Sequence, residues 1–262
     1  MWRWYWTRHA NGDDNTAMNE PTNSGGRTLS AVIFDVDGVI VASPHEQAWR
    51  EALAGITDPA RLTTAVYQTY VAGKPRMDGA RAALAQLGIA DPGSLAEKYA
   101  EAKQRLVETL IAAGRFAAFP DALRFIAAVH RPSWRLALAS SSKNAASMLQ
   151  QIVMPSGQNL LTLFDANLSG IDLQHGKPDP EIFLRSAKAI GIPPANCLVV
   201  EDATAGVAAG VAGGMATLGV ARLGDAALLR DAGADLVVSD LDEVDTAALA
   251  EGWLRADPQR RH

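Results

Sequence analysis

The sequence predicts an α/β protein in which helices cover both faces of a parallel sheet, with an all-helical cap inserted after the first strand. Three observations lead to this prediction. Short apolar runs alternate with helical patterns along most of the chain, acidic residues directly follow two of these runs, and the block from 45 to 116 contains helical patterns alone. Alternating strands and helices favour a parallel sheet with right-handed crossover connections.

The first strand is predicted at Ala31-Val32-Ile33-Phe34, because a short continuous apolar run is typical of a strand buried on both faces of a parallel sheet. Four later runs have the same character, at 134–139, 197–200, 215–220 and 235–238. Helices are predicted beside them at 121–129, 144–152, 180–190, 203–212 and 226–232.

The block from 45 to 116 interrupts this alternation. Leu62, Val66 and Tyr70 have helical spacing, and the segment 95–111 predicts a longer amphipathic helix. An insertion at the carboxyl end of a strand lies over the crevice where α/β sheets bind ligands. We therefore expect a helical cap domain at 44–116, a core domain at 29–43 and 117–262, and a disordered extension at 1–28.

Composition narrows the classes of function. Hydrophobic residues make up 48% of the 262 residues, and no apolar run approaches the roughly 20 residues that a membrane span needs. The net charge of −5 argues against nucleic acid as a main partner, because a phosphate backbone requires a basic face. The single cysteine, Cys197, fits a reducing compartment, and its apolar surroundings predict a buried thiol. We expect a cytoplasmic monomer without nucleic-acid or membrane partners.

The N-terminus contains Trp2, Trp4 and Trp6 but lacks the apolar region of a signal peptide. One interpretation is an aromatic arm that docks on a membrane interface or on a partner. The other, which we favour, is a flexible extension, because untethered termini are commonly disordered.

Two aspartates are the first candidates for chemistry. Asp35 and Asp37 directly follow the first predicted strand, and Gly38 allows a tight turn behind them. Carboxylates in such a position can serve as a nucleophile and a proton-transfer partner. Taken alone the motif is a weak signal, since aspartate and glycine are common in turns.

Three further motifs stand at predicted strand ends or helix starts. The segment Ser140-Ser141-Ser142-Lys143-Asn144 ends a strand and opens a helix, which suits a phosphate cradle or, alternatively, a simple serine N-cap. Lys177 lies in a rigid turn between Gly176 and Pro178, where the alternative is a solvated lysine. Glu201 and Asp202 follow an apolar run, as ligands of a hard cation or, for Asp202, as a helix cap.

The four motifs make sense together. Carboxylates gathered at one edge of a sheet repel each other and repel a phosphate dianion. A Mg²⁺ ion relieves both conflicts and polarises the phosphoryl oxygens. Lys177 would then neutralise charge on the attacked group, so the combination predicts magnesium-dependent phosphoryl transfer.

These motifs resemble those of the haloacid dehalogenase superfamily, and within it the β-phosphoglucomutase-like group with a helical cap. The resemblance covers about residues 30–240 and implies a Rossmann-like three-layer core. It implies that Asp35 forms a phospho-aspartate and that Asp37 is the general acid and base. A plain dehalogenase is disfavoured, because that chemistry needs neither the second aspartate nor a metal.

The resemblance also implies ligands. It assigns Mg²⁺ to Asp35, the backbone carbonyl of Asp37, Glu201 and Asp202. It assigns the transferring phosphoryl group to Ser140 and Lys177, and a distal phosphate to Ser142, Lys143 and Asn144, with Ser141 in the same segment.

The cap carries further expected contacts. Gly73-Lys74-Pro75-Arg76 is similar to the group's cap loop, and Arg76 matches its phosphate-binding arginine, the alternative being a solvated residue. His45 matches a histidine that couples the acid/base to cap closure. Two departures stand out: Ala72 occupies a position where the group usually has lysine, and the linker before His45 is short.

Three hypotheses remain open at this stage. The leading one is a β-phosphoglucomutase that interconverts β-glucose 1-phosphate and glucose 6-phosphate through a 1,6-bisphosphate. The second is a phosphatase of small phosphorylated sugars that uses the same phospho-aspartate. The third is a non-catalytic binding protein, which the intact acidic motifs and Lys177 disfavour.

Overall fold

The computed structural model describes residues 28–90 and 92–260. The tryptophan-containing N-terminus, for which we considered a docking arm and a flexible extension, lies outside the described residues. Among the described residues, no helix is long and apolar enough to cross a membrane. The cytoplasmic location and the monomeric state stay predictions.

The main sheet has six parallel strands in the order β5-β4-β1-β6-β7-β8. They are β1 (Ala31–Phe34), β4 (Arg135–Leu138), β5 (Ala166–Asn167), β6 (Cys197–Glu201), β7 (Ala216–Val220) and β8 (Leu236–Val238). A separate antiparallel pair is formed by β2 (Val41–Ala42) and β3 (Ala117–Ala118). The five predicted strands are confirmed. The two-residue strands β2, β3 and β5 are not among the predictions, although β2 and β3 lie in the short apolar segments 39–42 and 116–119.

Ten α-helices accompany the strands in the described part of the chain. Four precede β3: α1 (His45–Glu51), α2 (Thr64–Tyr70), α3 (Arg76–Gln86) and α4 (Pro92–Ala112). Six follow it: α5 (Pro120–Val129), α6 (Ala145–Leu149), α7 (Glu181–Ile190), α8 (Thr204–Ala212), α9 (Ala226–Asp231) and α10 (Thr246–Ala250). The predicted helix 144–152 is shorter than expected, because the chain turns after α6 and Val153 bridges to Asn159.

Strand β1 shows how the sequence builds three layers. Its four side chains are fully buried and alternate between the faces of the sheet. Val32 and Phe34 join a cluster with Phe125 of α5, while Ala31 and Ile33 join a cluster on the other face that includes helices α7 and α8. The Rossmann-like three-layer prediction is therefore confirmed. Cys197 belongs to the second cluster and is buried, as predicted.

The helices α1–α4 form the cap around a hydrophobic cluster of their own. Trp49, Leu84 and Tyr99 are among its buried members. The carboxyl-terminal half of α4 instead packs on the core cluster, through Val107 and Ile111. The β2–β3 pair brings the two connections between cap and core side by side, and we propose that the division at 44 and 116 falls beside it.

A buried hydrogen bond between α4 and α1 provides a test of the packing inside the cap. The fully buried Tyr99 hydroxyl donates to the Trp49 carbonyl at 2.7 Å. We expect Tyr99→Phe to lower the free energy of unfolding by about 1–3 kcal/mol, because a buried carbonyl loses its partner. Urea denaturation of Tyr70→Phe is the control, since Tyr70 is 38% exposed. Equal denaturation midpoints for the two variants would contradict this role of Tyr99.

Candidate active site

The acidic residues predicted from the sequence meet at the carboxyl edge of the sheet. Phe34 of β1 is in register with Val200 of β6, so Asp35 and Glu201 lie side by side, and Asp202 follows. Carboxylate oxygens of these three acids lie within 4.8 Å of one another. Glu201 Oε2 accepts hydrogen bonds from the Asp202 and Ala203 amides at 3.0 and 3.1 Å. Asp202 does not cap α8, whose N-cap is Ala203.

Lys177 is the buried cation of this site. Its Nζ donates to Asp35 Oδ1 at 2.6 Å, to Glu201 Oε1 at 2.5 Å and to the Ala139 carbonyl at 3.2 Å. The ammonium also lies 4.9 Å from the centre of the Phe183 ring. The alternative of a solvated surface lysine is therefore wrong.

The site carries more negative than positive charge. Burial favours a neutral amine, but Asp35 and Glu201 outweigh it and raise the pKa of Lys177. Burial also raises the pKa of Asp35 to about 7, with Glu201 and Asp37 adding to the effect while Lys177 opposes it. Burial and the same neighbouring carboxylates hold the pKa of Asp202 well above its usual range. One ammonium does not compensate for the clustered acids, so the site favours an added cation.

Two glycines make room for the carboxylates. A Cβ atom at Gly38 would lie 1.9 Å from Asp202 Oδ2, and one at Gly206 would lie 1.8 Å from Glu201 Oε1. The carboxylates of Asp202 and Glu201 therefore pack directly against glycine backbone, where any side chain would collide with them. Three converging carboxylates, closely packed and in charge excess, match the oxygen ligands that Mg²⁺ prefers, so these residues fit such an ion.

Asp37 has hydrogen-bond and ion-pair partners different from those of the other three acids. Its Oδ2 accepts a hydrogen bond from Ser140 Oγ at 3.2 Å. Its Oδ1 is buried and has no hydrogen-bond partner among the described residues, although His45 Nε2 lies 3.2 Å away at ion-pair distance. Burial favours the neutral acid, but His45, followed by Ser43 and Lys103, lowers the pKa of Asp37 to about 2. Asp37 is thus an ionised carboxylate with one oxygen free to accept a proton.

The segment after β4 is held by its own serines. Ser140 Oγ accepts from the Ser142 amide at 3.0 Å, and Ser142 Oγ accepts from the Asn144 amide at 3.2 Å. No side chain caps α6, so the alternative of a serine N-cap is wrong. Lys143 reaches the exposed Asp172 at 3.2 Å.

Cap and core together line a cavity of about 430 Å³ around these groups, and the cavity is partly open to solvent. Its walls include both catalytic candidates, the whole segment 140–144, His45 and the cap-loop residues Gly73, Lys74 and Arg76. Lys177 and Glu201 lie behind the wall. Neither Lys74 nor Arg76 forms an ion pair with any described residue, so both cations are available to an anion in the cavity.

Contacts across the cavity hold the cap against the core. Ser141 Oγ donates to the Gly73 carbonyl at 3.0 Å, and Gln104 donates to Asn144 Oδ1 at 3.0 Å. A Cβ atom at Gly176 would lie 2.1 Å from Pro75 Cγ. The cap loop and the lysine turn of the core therefore pack directly on each other.

Sequence reasoning missed Lys103 of α4. Its Nζ lies 2.8 Å from His45 Nδ1, and His45 Nε2 lies 3.0 Å from Ser142 Oγ. An ammonium can only donate, so His45 Nδ1 accepts and the ring proton resides on Nε2, facing Asp37. Burial lowers the pKa of Lys103 to about 8. Its place on the buried stripe of α4, between Tyr99 and Val107, was the available signal.

Arg222 was also missed. It donates to the Gly38 and Val39 carbonyls at 3.0 Å each and to Asp121 Oδ2 at 2.9 Å. Its guanidinium lies 3.8 Å from the centre of the Phe119 ring. It therefore fastens the turn after Asp37 to the segment that returns from the cap. The signal was an arginine just past the carboxyl end of β7, at the same edge as the acids.

The close approach at Gly38 gives a matched test of the acidic cluster. Gly38 and Gly55 both have positive φ, at +89° and +83°, but nothing lies within 4 Å of a Cβ atom at Gly55. The two alanine substitutions therefore impose similar backbone strain, about 1–2 kcal/mol. We expect Gly38→Ala to weaken Mg²⁺ binding at least about tenfold in calorimetry, because it displaces Asp202. Equal Mg²⁺ affinity in the two variants would count against the cluster as the metal site.

Comparison with known proteins places these features in a family. The family model for haloacid dehalogenase-like hydrolases matches residues 29–214. A β-phosphoglucomutase of Mycobacterium bovis is 34% identical over 245 residues, covering 82% of this chain and 91% of the relative. A fructose-1-phosphate phosphatase of Escherichia coli is 28% identical over 200 residues, covering 74% of this chain and 97% of the relative.

Solved structures agree with this placement. A β-phosphoglucomutase from Clostridium difficile superposes with a TM-score of 0.71 at 29% identity, covering 86% of this chain and 96% of that one. The relatives of this chain include both β-phosphoglucomutases and phosphatases of phosphorylated sugars. The resemblance predicted from the four motifs is confirmed: the chain belongs to the haloacid dehalogenase-like hydrolases, in the β-phosphoglucomutase-like group with a helical cap.

Proposed function

We propose that this protein is a magnesium-dependent β-phosphoglucomutase that interconverts β-glucose 1-phosphate and glucose 6-phosphate through a 1,6-bisphosphate. One observation carries the proposal. Arg76 and Lys74 of the cap, without acidic partners among the described residues, line the same cavity as Asp35 and Asp37 of the core. A bisphosphate needs cationic groups beyond those at the reacting phosphoryl group, and arginine can donate two hydrogen bonds to one phosphate.

The metal ligands are part of the proposal. Asp35, Glu201 and Asp202 would hold Mg²⁺ together with the backbone carbonyl of Asp37. When bound, Mg²⁺ would offset the clustered carboxylates and polarise the phosphoryl oxygens. Lys177, already bonded to Asp35 and Glu201, keeps the nucleophile oriented and would neutralise charge on the phosphoryl group beside Ser140.

Phosphoryl transfer starts from the phosphorylated enzyme. A sugar hydroxyl attacks the phosphorus, the bond between phosphorus and Asp35 breaks, and Asp37 Oδ1 takes the hydroxyl proton. Asp37 can take this role because it is ionised at neutral pH and its Oδ1 has no hydrogen-bond partner among the described residues apart from the nearby His45. The bisphosphate then turns in the cavity. Asp35 attacks the other phosphoryl group, and Asp37 returns its proton to the departing sugar oxygen.

Cap closure controls this proton transfer. His45 of α1 lies at Asp37 and is oriented by Lys103 of α4, so both groups approach the site from the cap. Opening of the cap would withdraw them together and admit water. A cap that closes further over a bound sugar phosphate would favour transfer to the sugar hydroxyl, because it would keep water from the phospho-aspartate.

A sugar-phosphate phosphatase is the second candidate function. The phosphatase relatives favour it, since they share this fold and a phosphorylated-sugar substrate by name. In that case water attacks the phospho-aspartate and Asp37 takes a proton from the water. A non-catalytic binding protein is disfavoured, because the acids, Lys177 and Asp37 form a complete constellation.

The two functions differ in their products. The protein is incubated with Mg²⁺, β-glucose 1-phosphate and a trace of glucose 1,6-bisphosphate, and phosphorus NMR follows the products. We expect glucose 6-phosphate to accumulate and the conversion to stop when EDTA removes Mg²⁺. Free phosphate as the sole product would refute the mutase and support the phosphatase.

Arg76 provides a second test. We expect Arg76→Ala to lower kcat/KM for isomerisation about 10- to 100-fold, because charged hydrogen bonds to the distal phosphate are lost. Acetyl phosphate has no second phosphate. The loss of its hydrolysis rate in Arg76→Ala should therefore be at least tenfold smaller than the loss of isomerisation. Arg81→Ala is the matched control, since Arg81 lies on the same helix and pairs with Asp78 outside the cavity. Equal losses in both reactions would mean that Arg76 does not hold the distal phosphate.

A further inference from the structure

Helix α2 of the cap contributes two neutral polar side chains to the cavity wall, Tyr67 and Gln68. Gln68 Oε1 is buried and has no hydrogen-bond partner in the described part of the chain. The Tyr67 hydroxyl likewise forms no hydrogen bond with any described residue. Both side chains lie in the chamber that contains the two catalytic candidates.

Packing explains the position of the Tyr67 ring but gives no role to its hydroxyl. Its ring packs against the cap cluster of Trp49 and Leu84, a role that phenylalanine would fill equally well. Its hydroxyl adds nothing to that packing. For Gln68 the argument is stronger, because buried polar groups in proteins are nearly always paired and its unpaired Oε1 is a cost unless a ligand satisfies it.

The surroundings of Tyr67 preserve its proton. Burial, followed by the carboxylates of Asp37, Asp202 and Glu46, holds the pKa of Tyr67 well above its ordinary range. The hydroxyl is therefore a hydrogen-bond donor at neutral pH. Gln68 Oε1 can only accept. Together they present one donor and one acceptor on successive residues of the same helix.

Neutral side chains such as these bind a phosphate less strongly than cations do. An anion is bound best by cations and by charged donors, which Arg76, Lys74 and Lys177 provide. A carbonyl oxygen such as Gln68 Oε1 repels a phosphate oxygen. A sugar ring, in contrast, carries hydroxyls that donate and accept at once, so it can satisfy both side chains.

We propose that Tyr67 and Gln68 are specificity-determining residues that bind hydroxyl groups of the substrate's sugar ring while the phosphates are held elsewhere. The inference rests on the proposed function, because it assumes a sugar phosphate in the cavity. It assigns recognition of the sugar to α2, and recognition of the distal phosphate to the loop that follows it.

Deoxy sugars test the proposal. Disappearance of β-glucose 1-phosphate and of its 2-, 3- and 4-deoxy analogues is measured for the unchanged protein, Tyr67→Phe and Gln68→Leu. We expect each variant to lose about 10- to 100-fold in kcat/KM on the full sugar, because a site that hydrogen-bonds a hydroxyl discriminates strongly against its loss. On the analogue that lacks the paired hydroxyl, the variant and the unchanged protein should differ by less than threefold.

Acetyl phosphate and Tyr70→Phe are the controls. The loss of Tyr67→Phe on the sugar should exceed its loss on acetyl phosphate at least tenfold, since acetyl phosphate has no ring hydroxyl. Tyr70→Phe alters an exposed residue three positions further along the chain, outside the cavity, and should leave every substrate unaffected.

The outcomes separate the two proposals. The assay measures the disappearance of the sugar phosphate. It therefore detects activity whether the protein isomerises or hydrolyses that substrate. Uniform losses over the whole deoxy series at both positions would overturn the roles of Tyr67 and Gln68. An unchanged protein that consumes no sugar phosphate would overturn the proposed function, and this inference with it.

Discussion

The buried ammonium of Lys177 is the interaction on which the site depends. It donates to the side chains of Asp35, directly after β1, and Glu201, at the end of β6, and to the Ala139 carbonyl directly after β4. Without this cation, carboxylates at the centre of the sheet edge would repel each other in a medium of low polarity. Even with it the acids remain in excess, so the same arrangement that stabilises the edge also favours a divalent cation there.

The cap joins the core by an apolar contact at one end, through Val107 and Ile111 of α4, and by a small number of polar contacts beside the acidic edge. His45 and Lys103 approach Asp37 from the cap, and Arg222 ties the turn after Asp37 to the returning segment. Polar contacts of this kind can be broken and remade with little change in buried apolar area. A cap attached in this way suits an enzyme whose substrate must enter and whose intermediate must be kept from water.

Three chemically different sets of side chains lie at the cavity. Carboxylates of the core lie in one wall with Lys177 behind them, cations of the cap loop lie in the wall without acidic partners among the described residues, and neutral groups of α2 complete it. Whether a sugar hydroxyl or water is the acceptor depends on what the cap places in the cavity. The cap is also where Ala72 stands in place of the lysine expected from the resemblance.

The sequence by itself determined the layered α/β core, the helical cap and the four motifs, because apolar runs and strand-end acids are local patterns. The positions where prediction failed are those that depend on distant partners. The strands β2, β3 and β5 are two residues long and exist only through pairing with a neighbour. Lys103 and Arg222 carry only weak signals in sequence, and their partners are set by tertiary structure. Lys103 reaches His45 from another cap helix, and Arg222 reaches the turn after Asp37 from the end of β7, since these elements lie far apart along the chain.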